Sequence, residues 1–229
     1  MAQPVARTRE ELAGDFLDLD RRYAALLQDR TSKQLTWCPT HGGWSVAQCI
    51  EHVARVNSVY LLAIKTAIAG SRKLAESNDQ RLRTAGWFSA FFLKSVSPEG
   101  KTKMRAPRIG RPDPDSAQIN PEEALQKLQR THLEIREVLA SSQQVNLNRV
   151  RFRNPFVPLI RFTVGTGFLV MAAHGRRHLL QAERVCSANG FPLARASAGN
   201  PTERRVTGSS PKCVPAISSR PPETFRRPS

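Results

Sequence analysis

Leu12, Phe16, Leu19, Tyr23, Leu26 and Leu27 recur at three- and four-residue steps among polar neighbours, the rhythm of a helix that turns one apolar stripe toward a core. Thr8, followed three residues later by Glu11, is a capping box, so this helix is predicted from Thr8 to about Asp29. After TSKQLTWCPTHGG, read as loop, a second stripe runs through Val46, Cys49, Ile50, Val53, Val56, Tyr60, Leu61, Ile64 and Ile68. It opens on a further capping box, Ser45 with Gln48, has Trp44 as its hydrophobic staple and stops near Gly70. A third helix starts in INPEEALQ, with Asn120 as cap, Pro121 at the first helical position and Glu123 completing the box; Leu125, Leu128, His132, Ile135 and Leu139 form its stripe. A fourth is predicted from Val164 to about Ala188, stopped by Asn189-Gly190.

Between the second and third helices the pattern weakens. A short helix is expected over Trp87 to Val96, read as a lid packed on the bundle ahead of a membrane-surface contact, for which the aromatic patch is short, and then an extended crossover, because the prolines and glycines of KTKMRAPRIGRPDPDSAQ exclude regular structure. No strand-like alternation of any length is present. The prediction is an all-α four-helix bundle with a long crossover between the second and third long helices.

The chain has 229 residues, enough for one domain with an extension. Residues 1–189 are assigned to the bundle and 190–229 to a disordered basic tail rich in Pro, Ser and Arg. Seven cations against two carboxylates from Gly190 onward give the tail a net +5 of the chain's +16. The rest is spread over the body without a recognition motif, so no dedicated nucleic-acid partner is expected. The four cysteines form no CxxC pair, which suggests a reducing, cytoplasmic setting, and no apolar run is long enough to span a membrane, so no membrane partner is expected.

Candidate chemistry is concentrated in AAHGRRHLLQAERV. His174 and His178 stand one turn apart on one helix face, the spacing of helical metal-binding pairs, but without the Glu of a metalloprotease HExxH. His52 lies at the edge of the second stripe, His132 lies on the third, and His41 sits in a Gly-rich turn; for each, a structural role competes with ligation. Arg176 and Arg177 are candidates for a substrate carboxylate, against a solvated face for Arg176 and a pairing of Arg177 with a carboxylate such as Glu51. Gln181 and Glu183 are assigned to the bundle.

The stretches GWSVAQCIEHVARVNSVY, NPFVPLIRF and MAAHGRRHLLQAERV, together with KMRAPRIGRPDPDSAQINPEEAL, resemble the DinB-like superfamily of four-helix bundles over roughly Thr8 to Asn189. The resemblance implies a divalent metal, zinc or nickel, on His52, His174 and His178. It also implies a helix-paired homodimer and, as in some members, a thiol-dependent S-transferase or isomerase that uses a low-molecular-weight thiol on a small electrophile. In that case the Trp87 to Leu93 patch would help shape the pocket. His132, on a facing helix, is read as a packed core histidine ahead of a fourth ligand or a supporting donor. Gly175 departs from the family pattern, which often has an acidic residue after the first histidine of the pair. The competing function is a non-catalytic stress-response or partner-binding bundle, with side chains such as Phe91 or Phe168 filling the space over the histidines.

Overall fold

In the computed structural model, residues 6–40, 42–71, 81–100 and 106–192 are described. Four long helices carry the molecule: α1 (Arg9–Leu27), α3 (Val46–Ala69), α5 (Pro121–Ser141) and α6 (Val164–Cys186). The capping boxes at Thr8 and Ser45 are formed in full, and Asn120 accepts a hydrogen bond from the Glu123 N–H.

The long helices close into a ring in which α3 packs on α5 and α6, and α1 packs on the same two. The stripes meet in the middle, where Leu12, Phe16, Tyr23, Ile50, Ile64, Leu128, Ile135, Phe162 and Phe168 are fully buried. Their directions follow from the contacts. Ser58 meets Thr131 and Lys65 meets Glu134, so α3 and α5 run the same way, whereas Gly167 lies against Ile64 while His174 reaches His52, so α6 runs against α3. Two consecutive parallel helices cannot be joined by a tight turn, which is the physical reason for the long crossover.

Several smaller elements lie outside the sequence expectation. A four-residue helix, α2 (Ser32–Leu35), occupies the segment read as loop and has its own capping box, Thr31 with Gln34. Four three-residue strands form two antiparallel ribbons: β1 (Ala6–Thr8) with β2 (Arg81–Arg83), and β3 (Arg151–Arg153) with β4 (Arg161–Thr163). Strands this short bury at most two residues, none in β1, Leu82 in β2, Phe152 in β3, and Phe162 and Thr163 in β4, too few for a period of two to be read.

Helix α4 (Gly86–Val96) forms as predicted and lies along α6, but only one side packs. Ser89, Leu93 and Val96 are buried, whereas Trp87 is 81 % and Phe91 62 % exposed, so this patch does not act as a packed lid. Helix α6 ends at Cys186, two residues early; Gly190 then takes the left-handed conformation (φ +83°). Phe191 packs edge-on against Trp37, and Pro192 accepts a hydrogen bond from Gln34, so the folded part extends past residue 189. The remainder of the predicted tail, and His41, lie outside the described residues. Cys49 and Cys186 carry free thiols.

Candidate metal centre

The second turn of α3 and the middle of α6 face each other and bring His52, His174 and His178 together. One ring nitrogen from each lies within 4.8 Å of the others. The Nε2 atoms of His52 and His174 are 3.2 Å apart. Two nitrogens on one tetrahedral zinc are about 3.3 Å apart, from Zn–N bonds of about 2.0–2.1 Å. The set is therefore at ligand spacing on one edge.

The orientation of His52 is set from the crossover. Its Nδ1 lies 2.5 Å from the carbonyl oxygen of Gly110, in the 3-10 turn Arg108–Gly110. A carbonyl only accepts, so Nδ1 carries the proton and Nε2 turns a lone pair toward α6. The turn is held in place by the start of α3: Gln48 donates to the Asp113 carbonyl (2.7 Å), Glu51 accepts from the Asp113 N–H (2.9 Å), and Ser45 and Ser116 hydroxyls meet at 2.5 Å. Gly110 is a glycine by necessity of space, because a Cβ there would come within 2.9 Å of Val56 Cγ2.

Electrostatics favour neutral imidazoles. Burial pushes His52 down to about 4, partly offset by the Gly110 hydrogen bond. His174 and His178 are held well below the ordinary histidine range, first by burial and then by neighbouring histidines and Arg177. Neutral imidazole is the ligand form. The buried Nδ1 atoms of His174 and His178 have no hydrogen-bond partner among the described residues, although Gln181 opposes the lowering of His178 slightly. An ion held on Nε2 would not pair these Nδ1 atoms; the three residues fit a divalent cation because one ring nitrogen of each converges within 4.8 Å of the others and neutral imidazole suits zinc or nickel.

Trp44 forms one wall. Its ring stacks on His178 (centroids 5.6 Å, 26°) and tilts over His52 (4.7 Å). The sequence marks Trp44 only as a staple, and it passes over Gly110 altogether; the one signal for Gly110 is a glycine between prolines in PRIGRP, where only a close backbone approach needs it.

The other candidates fall elsewhere. His132 is fully buried and committed: its Nδ1 meets Asp20 at 2.6 Å, its Nε2 meets the Asn57 amide at 3.1 Å, and Phe16 packs against its ring. It joins α1, α3 and α5 and is not a fourth member of the cluster. Arg177 does not pair with Glu51. Its Nη1 donates to the carbonyls of Ser95, Ser97 and Gly100 beyond the end of α4, while Glu51 holds Arg55 and the crossover. Arg176 forms an ion pair with Asp15, and Glu183 one with Arg22. Phe168 is core and Phe91 is exposed, and the ring contacts of the three histidines are with Trp44 and with one another rather than with either phenylalanine. Gly175 is explained by packing: its Cβ would approach Leu19 Cδ1 to 3.0 Å, and its carbonyl accepts from the Tyr23 hydroxyl at 2.9 Å. A side chain there crowds Leu19, which must shift to admit it.

A groove of about 780 Å³ lies between α3, α5 and the crossover, with Glu51, Asp113 and Ile109 on its rim, and does not include the three histidines.

The comparisons agree with this architecture. Bacillus subtilis YfiT, described as a probable metal-dependent hydrolase with an unusual four-helix bundle topology, is similar in fold: TM-score 0.53 at 17 % identity, over 80 % of this chain and 89 % of that one. No curated protein matches the sequence. A family model for the DinB superfamily matches residues 16–182. The chain belongs to the DinB superfamily.

Proposed function

We propose that the chain holds one divalent cation on His52, His174 and His178 and uses it in a reaction on a small molecule, with thiol-dependent S-transfer to an electrophile as the first candidate. The observation that carries this is the convergence of three imidazoles, two buried and that of His174 half-buried, with Nε2 of His52 3.2 Å from Nε2 of His174. Three imidazoles suit zinc or nickel and leave a coordination position for an exogenous ligand. When bound, such an ion supplies Lewis acidity and lowers the pKa of a coordinated water or thiol.

The chain's own groups prepare the site. Gly110 fixes the tautomer and direction of His52, burial keeps the three rings unprotonated, and Trp44 excludes water from the side it covers. Catalytic residues beyond the ligands are not assigned. The fold likeness to YfiT supports a second candidate within the same site, hydrolysis, in which water replaces the thiol. The groove lying away from the histidines favours a third, a partner-binding bundle whose metal is structural. A cytoplasmic homodimer paired through helix faces is the setting proposed for all three.

The test is to follow an activated electrophile with metal-loaded protein, with and without a low-molecular-weight thiol, beside the His178→Ala variant. Thiol-dependent consumption lost in the variant supports S-transfer. Thiol-independent consumption lost in the variant transfers the assignment to hydrolysis. Bound metal with neither activity leaves the partner-binding bundle.

A further inference from the structure

Among the described residues, one end of the molecule gathers cations and exposed apolar groups. Residues 81–98 and 143–163 hold seven Lys or Arg and no Asp or Glu. In the β3–β4 ribbon, Phe152 and Phe162 are paired and turned into the core, so Arg151, Arg153 and Arg161 stand on the opposite face, all exposed. Arg153 and Arg161 are direct cross-strand partners, an arrangement in which like charges repel. None of the three makes an ion pair among the described residues.

Helix α4 packs beside this ribbon, the Phe92 ring lying 5.1 Å from that of Phe162. Its outer side presents Trp87, Phe88 and Phe91, of which Trp87 is 81 % exposed, and the ribbon's turn presents Leu159 at 99 %. Scattered exposed leucines need no explanation, but large aromatics on one helix beside unpaired arginines mark an interaction surface. The partner is anionic by charge. It is also apolar beneath that charge, because Trp87 and Phe88 meet edge-on at 84° rather than offering parallel faces to stacked bases, and Leu159 has no ring to stack. Acyl chains under phosphate headgroups satisfy both requirements.

We infer that this face docks on an anionic lipid surface, with Arg151, Arg153 and Arg161 at the headgroup phosphates and Trp87, Phe91 and Leu159 in the interfacial layer. The arginines supply long-range attraction and the aromatics a shallow anchor. No helix among the described residues is long and apolar enough to cross a membrane, so the contact is peripheral.

The test is co-sedimentation of the full chain with vesicles of phosphatidylcholine, alone or containing phosphatidylglycerol. Two variants are run alongside, Arg151→Gln/Arg153→Gln/Arg161→Gln and Trp87→Ser/Phe91→Ser, each checked for unchanged helicity and melting temperature. All changed side chains are exposed, so both variants should fold. The expected result is binding to the phosphatidylglycerol vesicles alone, weakened on the order of 100-fold by loss of the three arginines and about tenfold or more by loss of the aromatics. A blue shift of tryptophan emission on binding, lost in Trp87→Phe, places that ring in the interface. Vesicle binding that survives both variants would locate it in another part of the chain, and no binding to either vesicle would also overturn the inference. Binding of a single-stranded oligonucleotide in place of vesicles, abolished by the arginine variant, would assign the face to nucleic acid.

Discussion

The Gly110 carbonyl oxygen sits 2.5 Å from Nδ1 of His52, so a residue in the crossover decides which nitrogen of an α3 histidine points at α6. The crossover in turn is tied to the first turns of α3 through Gln48, Glu51 and Ser45. A segment that looks like a connection between two parallel helices therefore serves as the outer support of the histidine cluster. Support of this kind commonly governs affinity as strongly as the ligands do.

Gly110→Ala is expected to weaken metal binding about 10- to 100-fold while keeping the fold, because the new methyl meets Val56 and displaces the carbonyl from His52. Competition with a chromophoric chelator measures this. Unchanged affinity would mean that the carbonyl does not orient the ligand.

The metal-free protein should lose stability in acid through its buried histidines. His52 titrates near 4 when folded and near 6.5 when unfolded. Below about 6.5 the unfolded chain takes up a proton that the folded chain refuses, so stability falls as pH drops toward 4 and is flat above 7. For His52 this is on the order of 3 kcal/mol across the window, and His174 and His178 act in the same direction. Urea unfolding at pH 7.5 and 4.5, with His52→Gln for comparison, reads it out; the variant should show a smaller difference between the two.

His132 separates structure from ligation. With Asp20, Arg136 and Asn57 it forms a buried polar link between three helices, so His132→Leu should cost on the order of 3 kcal/mol of stability by leaving Asp20 and Asn57 short of a partner. Metal stoichiometry should be unchanged. Loss of the ion in a folded variant would return His132 to the ligand set.

At Gly175 the expected cost is steric. Gly175→Asp drives a side chain against Leu19 and buries a carboxylate, a loss of about 2 kcal/mol or more. Thermal unfolding of the single variant and of Gly175→Asp/Leu19→Ala separates crowding from charge: partial rescue by the smaller neighbour identifies the crowding share.

The four long helices were legible because each repeats its apolar spacing over many turns and opens on a side chain that caps its own backbone, as at Thr8, Ser45 and Asn120. The His174–His178 pair was legible for the same reason, since a helix converts a spacing of four into proximity. What periodicity cannot carry was missed. Gly110 acts through its carbonyl, an atom every residue has, and the short ribbons bury at most two side chains per strand. The Arg177 contacts are with backbone oxygens that no sequence pattern marks. The resemblance named the three histidines, but only the fold supplies the distance between them.

The central claim is tested most directly by elemental analysis of untagged protein beside a variant with His52, His174 and His178 all replaced by Ala. The account predicts about one zinc, nickel or similar ion per chain, absent from a variant that keeps its helical content. A protein that takes up no divalent ion even after incubation with excess metal, or a variant that retains it, would contradict the three-histidine site.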